Sequence, residues 1–203
     1  EIKDTKTEPK RTCLAICCAG SVNSGKSSTI GVLTSGILDD GNGSARSLVA
    51  KHPHEIASGN TSDISTRTYE LTTKNESLTF VDLCGHEDYF KTTTFGVSGH
   101  FPDYAFLIIS ANRGILPMTK QHLRLLMSLS VPILIIITHI DIVPEEIYKS
   151  TVEENEKQIA FYYGKSTSVV FVNNLTDLKK TDDELNELKK TSTKTILDSL
   201  TNI

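Results

Sequence analysis

Three features of the 203-residue chain predict an α/β fold, a mostly parallel sheet with helices on both faces. Apolar runs of strand length alternate with segments of helical apolar spacing. The first apolar run leads straight into a glycine-rich loop, and a helical pattern begins at that loop. Each cluster of polar, chemistry-bearing residues falls just after a strand, at the end where such sheets bind ligands.

Thr12 to Ala19 (TCLAICCA) is continuously apolar, as in a strand buried on both faces. Beyond the loop, Ser27 to Leu38 places Ile30, Val32, Leu33, Ile37 and Leu38 at roughly helical spacing. From Asp39 to Ser65 the periodicity fails and Gly, Asn, Ser, Asp and His dominate. A loop that long in a compact domain is usually functional or mobile. Thr66–Thr72 and Leu78–Leu83 read as two strands joined by a turn at Lys74, Asn75 and Glu76, a hairpin-like pair. Tyr104–Ser110 and Val131–Thr138 are further buried strands, with helical spacing over Gln121–Leu129 between them. Glu145–Tyr163 and Asp182–Leu200 read as amphipathic helices flanking a last strand, Ser168–Asn173. The lysine- and threonine-rich stretch Lys179–Lys194 is a solvated helix face.

A hydrophobic fraction of 38% supplies a core, and 23% charged residues is ordinary for a globular chain. The net charge of -4 gives no global attraction to nucleic acid or to an anionic membrane. RNA binding would need a local patch or another domain. The longest apolar run, Val131–Ile137, is too short to cross a bilayer, and no secretory leader opens the chain. Cys13, Cys17, Cys18 and Cys84 match neither a disulfide framework nor a zinc knuckle. Strand alternation points Cys17 and Cys18 to opposite faces, and reduced core thiols in a cytoplasmic protein are expected. The chain starts at Glu1 without a methionine, which favours an excised domain. Residues 1–11 are read as a flexible segment outside the fold.

The loop Gly20-Ser21-Val22-Asn23-Ser24-Gly25-Lys26-Ser27, followed by Ser28, has the spacing of a phosphate loop between a strand and a helix. Its glycines let backbone N–H groups point at phosphate oxygens. Lys26 sets a cation against the β and γ phosphates, and Ser27 offers a hydroxyl to Mg²⁺ at a helix start. Asp82, Leu83, Cys84, Gly85 and His86 follow another strand. There Asp82 is predicted to hold Mg²⁺, Gly85 to bring its N–H to the γ-phosphate, and His86 to orient a hydrolytic water. Thr61, near the end of the irregular loop, completes the metal set of Ser27, Thr61 and Asp82. Its dependence on the γ-phosphate makes that loop an order–disorder switch. His52 and His54 lack carboxylate or cysteine partners, so solvated switch residues are expected there and not a metal pair. Thr138, His139 and Asp141 close the strand at 133–137. The Asp141 carboxylate can accept from guanine N1–H and the 2-amino group, and adenine offers neither. Asn173, Asn174 and Leu175 end the last strand, where backbone N–H groups could meet guanine O6.

These motifs in this order resemble the translational GTPase superfamily, the G domains of elongation factors Tu and 1-alpha. The stretches GVLTSGILDDG (31–41), HEIASGNT (54–61), KTTTFGVSGHFPD (91–103) and MTKQHL (118–123) are similar to one branch, the GTP-binding protein 1 and 2 subfamily. The resemblance implies a six-stranded Ras-like fold over 12–203 and GTP hydrolysis with Mg²⁺. It assigns catalysis to His86, Lys26 and Gly85, with His86 positioning water once a partner docks. It also implies later β-barrel domains that this chain lacks. Partners implied are GTP and GDP, and the ribosome or RNA through missing domains or the switch regions. A monomer with no membrane partner is expected.

Departures from the family pattern shape further expectations. Thr138 and His139 stand where the family has Asn or Thr followed by Lys, so an imidazole replaces the lysine stem over the base. The asparagine that ties this motif to the phosphate loop is absent, and weaker nucleotide binding is expected. Asn23 replaces an aspartate. Of two apolar gate residues, Val22 keeps one, and Asn60 stands in place of an isoleucine. The function predicted is a slow, translation-factor-like GTPase switch. The alternative is a non-catalytic GTP- or GDP-sensing module that docks through 39–65 and 83–99. A phosphotransferase is disfavoured, because arginines after the phosphate loop are few (Arg46, Arg67, Arg113, Arg124) and Asp141 would then serve no purpose.

Overall fold

The computed structural model describes residues 12–71, 76–140, 142–144, 146–147, 149–151, 153–154, 157–158 and 169–171. The segment 1–11, the helix predicted over Asp182–Leu200, and Asp141, Asn173, Asn174 and Leu175 lie outside the described residues.

The strands are β1 (Thr12–Ala19), β2 (Ser65–Leu71), β3 (Glu76–Asp82), β4 (Tyr104–Ser110), β5 (Ile133–Thr138) and β6 (Val169–Phe171). They form one six-stranded sheet in the order β2-β3-β1-β4-β5-β6. All neighbours run parallel except β2 and β3, which pair antiparallel as the hairpin-like sequence predicts. β1 lies between β3 and β4, so the sheet's winding reverses there, and the crevice beyond its carboxyl end is a natural ligand site.

Both faces of the sheet are buried, which is why β1, β4 and β5 read as unbroken apolar runs. Cys17, Leu107 and Ile135 point into one core with Val97, Leu123 and Leu126. Those partners come from α4 (Phe90–His100) and α5 (Pro117–Ser128). Cys18, Phe106 and Ile136 point into the other core with Ile30 and Leu33 of α1 (Lys26–Ser35). Cys17 and Cys18 thus face opposite ways, as alternation requires. Burial pushes the thiols of Cys17 and Cys84 up to about 12, leaving them protonated and inert. Cys13 departs from the core-thiol expectation. It is exposed on β1, near the sheet's amino edge, beside the Thr79 hydroxyl at 3.5 Å.

Two stretches differ from the sequence-based reading. The segment 39–65 is not wholly irregular, because it holds α2 (Ser44–Ser47) and α3 (Pro53–Ser58). Both are too short to show a period. α4, with no assignment from sequence, is rich in threonine and glycine, and its buried face is Thr93, Gly96 and Val97. Its contacts are close approaches that hydrophobic spacing does not reveal. A Cβ at Gly96 would stand 2.7 Å from Ile64 Cδ1 and 2.8 Å from Leu83 Cδ2. The described residues between 146 and 158 are helical, consistent with the amphipathic helix predicted there.

α2 rests on α1 at Gly31, where an added Cβ would lie 2.1 Å from the Ala45 carbonyl oxygen. Alanine favours a helix interior over glycine by about 1 kcal/mol. Overpacking against backbone typically costs about 1–3 kcal/mol and outweighs that gain. Gly31→Ala is therefore expected to lower the thermal midpoint by roughly 2–8 °C. An unchanged or higher midpoint in a melting experiment would mean that α2 is not held against α1.

Candidate functional site

The phosphate loop leaves β1 through Gly20, whose φ of 149° is open chiefly to glycine. A Cβ there would stand 2.3 Å from the Ile108 carbonyl oxygen of β4. The Gly20 N–H donates to His122 Nδ1 of α5 at 3.1 Å. His122 is wholly buried, and burial presses its pKa down to about 4, so it meets that N–H as a neutral acceptor. Asn23 adopts φ 58°, a left-handed conformation that asparagine tolerates better than most residues. Lys26 is 6% exposed and donates from Nζ to the Ser21 carbonyl at 2.9 Å. Burial lowers its pKa, with the Asp82 charge opposing that shift.

Ser27, Thr61 and Asp82 converge as the sequence predicts. Ser27 Oγ donates to Asp82 Oδ2 at 2.5 Å, and Thr61 Oγ1 lies 3.1 Å from Ser27 Oγ and 3.4 Å from Asp82 Oδ2. Asp82 is 1% exposed, and burial raises its carboxyl to about 6 against the opposing pull of Lys26, Ser27 and Thr61. Its Oδ1 is buried with no hydrogen-bond partner among the described residues. Buried polar atoms are seldom left so, and the all-oxygen set of this carboxylate with the Ser27 and Thr61 hydroxyls fits a hard divalent cation such as Mg²⁺.

Thr61 is held in reach by Glu55, a residue that motif reading passed over. Glu55 Oε1 accepts from the Ser62 and Asp63 N–H groups at 2.7 and 3.1 Å. Oε2 accepts from the Lys51 and His52 N–H groups at 2.9 and 3.0 Å. The carboxylate therefore ties both ends of the 51–63 segment to α3. A usable signal was present: Pro53 opens α3 at its first turn and Glu55 follows at the position of a capping acid. His52 and His54 stack with centroids 5.3 Å apart, and His54 Nε2 is 2.8 Å from Ser62 Oγ. Among the described residues no group of three or more His, Cys, Asp or Glu is arranged to hold a metal.

Gly85 lets the strand end close on the phosphate loop. A Cβ there would lie 2.5 Å from Lys26 Nζ and 2.8 Å from the Val22 nitrogen. Beside it opens a cleft of about 320 Å³. Val22, Asn23, Gly25, Lys26, Ser27, Ser28, Thr61, Gly85, His86 and His139 line it, together with Asn60, Asp39 and Arg46. The two gate positions, Val22 and Asn60, thus share one cleft with His86. Gly20, Ser21, Ser24 and Thr138 support the cleft from outside its lining. Leu83 and Cys84 have wholly buried side chains and do not line it. His86 Nδ1 accepts from the Asp88 N–H at 3.3 Å, and its ring meets Tyr89 edge-on at 6.1 Å.

The expected loss of the tie between base motif and phosphate loop is corrected by Thr138. Its Oγ1 donates to the Ser24 carbonyl at 2.7 Å, across the ends of β1 and β5. A buried hydroxyl at the end of a strand does what an amide would do there. His139, at φ 58°, keeps its Nδ1 3.0 Å from Thr138 Oγ1 and 3.1 Å from Ser110 Oγ. Both hydroxyls already donate, to Ser24 and to Asn112 Oδ1. Nδ1–H as the donor to them is the tautomer that satisfies all three groups.

The family model of the elongation factor Tu GTP binding domain matches residues 11–202. The chain belongs to that family. Members are GTP hydrolases, and this G domain is a translational GTPase G domain. It is 39% identical over 163 residues to GTP-binding protein 1 of Xenopus laevis, covering 68% of this chain and 25% of that protein. It is 41% identical over 165 residues to human GTP-binding protein 2, covering 72% and 27%. The chain thus spans about a quarter of the length of these relatives. A bacterial selenocysteine-specific elongation factor EF-Sec superposes with TM-score 0.73 at 26% identity, over 93% of this chain and 29% of that one. Elongation factor SelB from Methanococcus maripaludis, solved with the GTP analogue GPPNHP, has TM-score 0.68 at 21% identity, over 96% and 35%, and shares the fold.

Two substitutions test this geometry. Thr138→Val keeps the shape and removes the tie, so nucleotide affinity should fall about 3- to 10-fold, the worth of one net hydrogen bond of about 0.5–1.5 kcal/mol. Calorimetry that finds unchanged affinity would show the tie to be idle. For Glu55, burial pushes its carboxyl up, but the N–H groups of Ser62, Lys51, Asp63 and His52 outweigh that and bring it from 4.5 to about 2. Its folded form prefers the charge, so its contribution, on the order of 3 kcal/mol, is complete above about pH 4.5 and lost as pH falls towards 2. Glu55→Gln should speed amide exchange at residues 59–63 at pH 7 and flatten that acid dependence. Wild-type exchange rates in the variant would remove Glu55 from the holding of Thr61.

Proposed function

We propose that this domain hydrolyses GTP to GDP and phosphate with Mg²⁺ and works as a nucleotide-dependent switch in a translation-factor-like protein. The observation that carries the reading is the convergence of Ser27 and Thr61 on one oxygen of the buried Asp82 carboxylate, whose other oxygen has no partner among the described residues, beside the cleft lined by Lys26 and His86. Lys26 holds the β and γ phosphates, and backbone N–H groups of the loop beyond Gly20, up to Ser28, surround the phosphate chain. Ser27, Thr61 and Asp82 hold the cation. When bound, Mg²⁺ neutralises charge developing on the β–γ bridge. Water attacks the γ-phosphorus, the bond to the bridging oxygen breaks, GDP leaves with the electron pair, and the proton of water ends on phosphate. His86 orients that water. Its Nδ1 accepts from the Asp88 N–H, which leaves Nε2 to meet the water, and slow turnover without a partner is expected.

Asp141 selects guanine by leaving its carboxylate unpaired with adenine, and Asn173, Asn174 and Leu175 supply N–H groups towards O6. His139 lies in the cleft lining, and its ring stacks on the base in place of a lysine stem. A translation role is supported by the likeness to the selenocysteine-specific elongation factor. On this reading the ribosome or RNA is met through the switch segments or further domains. The cytoplasm is the matching compartment, and no described helix is long and apolar enough to cross a membrane.

Phosphate release from GTP and Mg²⁺ tests the reading, with and without ribosomes. His86→Ala is expected to lower kcat about 10²-fold while GTP affinity stays within a few-fold. Unchanged turnover in the variant would refute its role. No release by the wild type under either condition would favour a GTP- or GDP-sensing module instead. ATP binding as tight as GTP in calorimetry would overturn the assignment of Asp141.

A further inference from the structure

We infer that Arg46 is a second cation of the phosphate cleft and engages the terminal phosphate of GTP. This deepens the GTP reading above and rests on it. Arg46 belongs to α2, and its side chain lines the cleft that also holds Lys26, Ser27, Thr61 and Gly85. Its place is built by glycine on two sides. Gly43 and Gly59 have φ of 90° and 72°. A Cβ at Gly43 would lie 2.4 Å from Arg46 Nε, and one at Gly59 would lie 2.5 Å from Nη1. A side chain at either position would displace the guanidinium.

The base of α2 is anchored as firmly. Ala45 sits against Gly31 of α1, the helix that begins with Lys26 and Ser27. Asp39 Oδ1 accepts from the Ala45 N–H at 2.8 Å. Arg46 therefore projects from a support continuous with the phosphate loop. No carboxylate among the described residues forms an ion pair with it. A preformed guanidinium in a phosphate cleft offers paired N–H groups to phosphate oxygens.

The terminal phosphate is indicated by the wall at Gly59. That residue leads directly to Thr61, which is hydrogen-bonded to Ser27 and to Asp82 at the metal end of the cleft. Nη1 thus abuts the segment that closes over the γ-phosphate. During hydrolysis, charge gathers on the γ-phosphoryl oxygens and the bridging oxygen as that bond breaks. A guanidinium at this wall stabilises that charge.

Arg46→Ala and Arg46→Lys, compared with wild type, separate the outcomes. For Arg46→Ala, GTP affinity is expected to fall about tenfold or more relative to GDP affinity, and kcat on the order of 10²- to 10³-fold. Binding of GDP with aluminium fluoride should be lost, while the thermal midpoint without nucleotide stays near wild type. Arg46→Lys keeps the charge without the fork and should restore the GTP-to-GDP affinity ratio more than kcat. Equal losses for GTP and GDP would overturn the inference, because they place Arg46 on the inner phosphates or ribose. A fallen thermal midpoint with an unchanged affinity ratio would make it structural. Absence of hydrolysis in the wild type would count against the proposed activity alone, since the affinity ratio still judges Arg46.

Discussion

Lys26 and Asp82 bring opposite charges to neighbouring strand ends and bury both, yet they form no direct ion pair. The ammonium is committed to the Ser21 carbonyl and the carboxylate to the hydroxyls of Ser27 and Thr61. Burial lowers the pKa of the lysine and raises that of the aspartate to about 6. Taking such ions out of water costs several kcal/mol each unless partners are complete, and here one carboxylate oxygen has none among the described residues. On the proposed function, a cation and a polyanion are the partners that complete these two charges. Ligands that complete them stabilise the domain by linkage.

The close approaches around this pair follow from that demand. Gly20 passes against the Ile108 carbonyl, Gly85 against Lys26 and the Val22 nitrogen, and Thr138 ties Ser24 to the end of β5. Each removes side-chain bulk or adds one short hydrogen bond so that backbone can crowd the two charges. The departures from the family pattern are tolerated for the same reason. What the position at Thr138 requires is a donor of short reach, and a hydroxyl meets that need as an amide does. What Asn23 must provide is a left-handed turn, and asparagine accepts one.

Order in the 39–65 segment comes from the short helices α2 and α3 and from side chains bonded to backbone, with no strand ladder before Ser65. Asp39 caps Ala45, Asp40 Oδ1 accepts from Asn42 and Ser44, and Glu55 gathers the N–H groups at both ends of its own segment. The carboxyl of Asp40 is held down to about 2 by those N–H groups. Such a segment rests on polar contacts, with Ala45 and Val49 as its buried apolar anchors, which suits the switch proposed for it.

The phosphate loop, the buried strands and the order of the motifs are local properties, carried by contiguous residues, and the sequence by itself determined them along with the family. The antiparallel pairing of β2 and the opposite facing of Cys17 and Cys18 were likewise legible, because strand alternation admits little else. Helix α4 was not legible, since Thr93 and Gly96 pack by fit instead of by apolar period. His122 and the tie from Thr138 were missed or misjudged because each joins residues far apart in the chain, and Glu55 because its partners are nearby backbone N–H groups, which carry no residue signature. Only the tertiary structure decided which carboxylate is left with an open oxygen, which hydroxyl replaces a missing amide, and where Arg46 points. Those are matters of distance between strand ends and loops, and distance is set by packing.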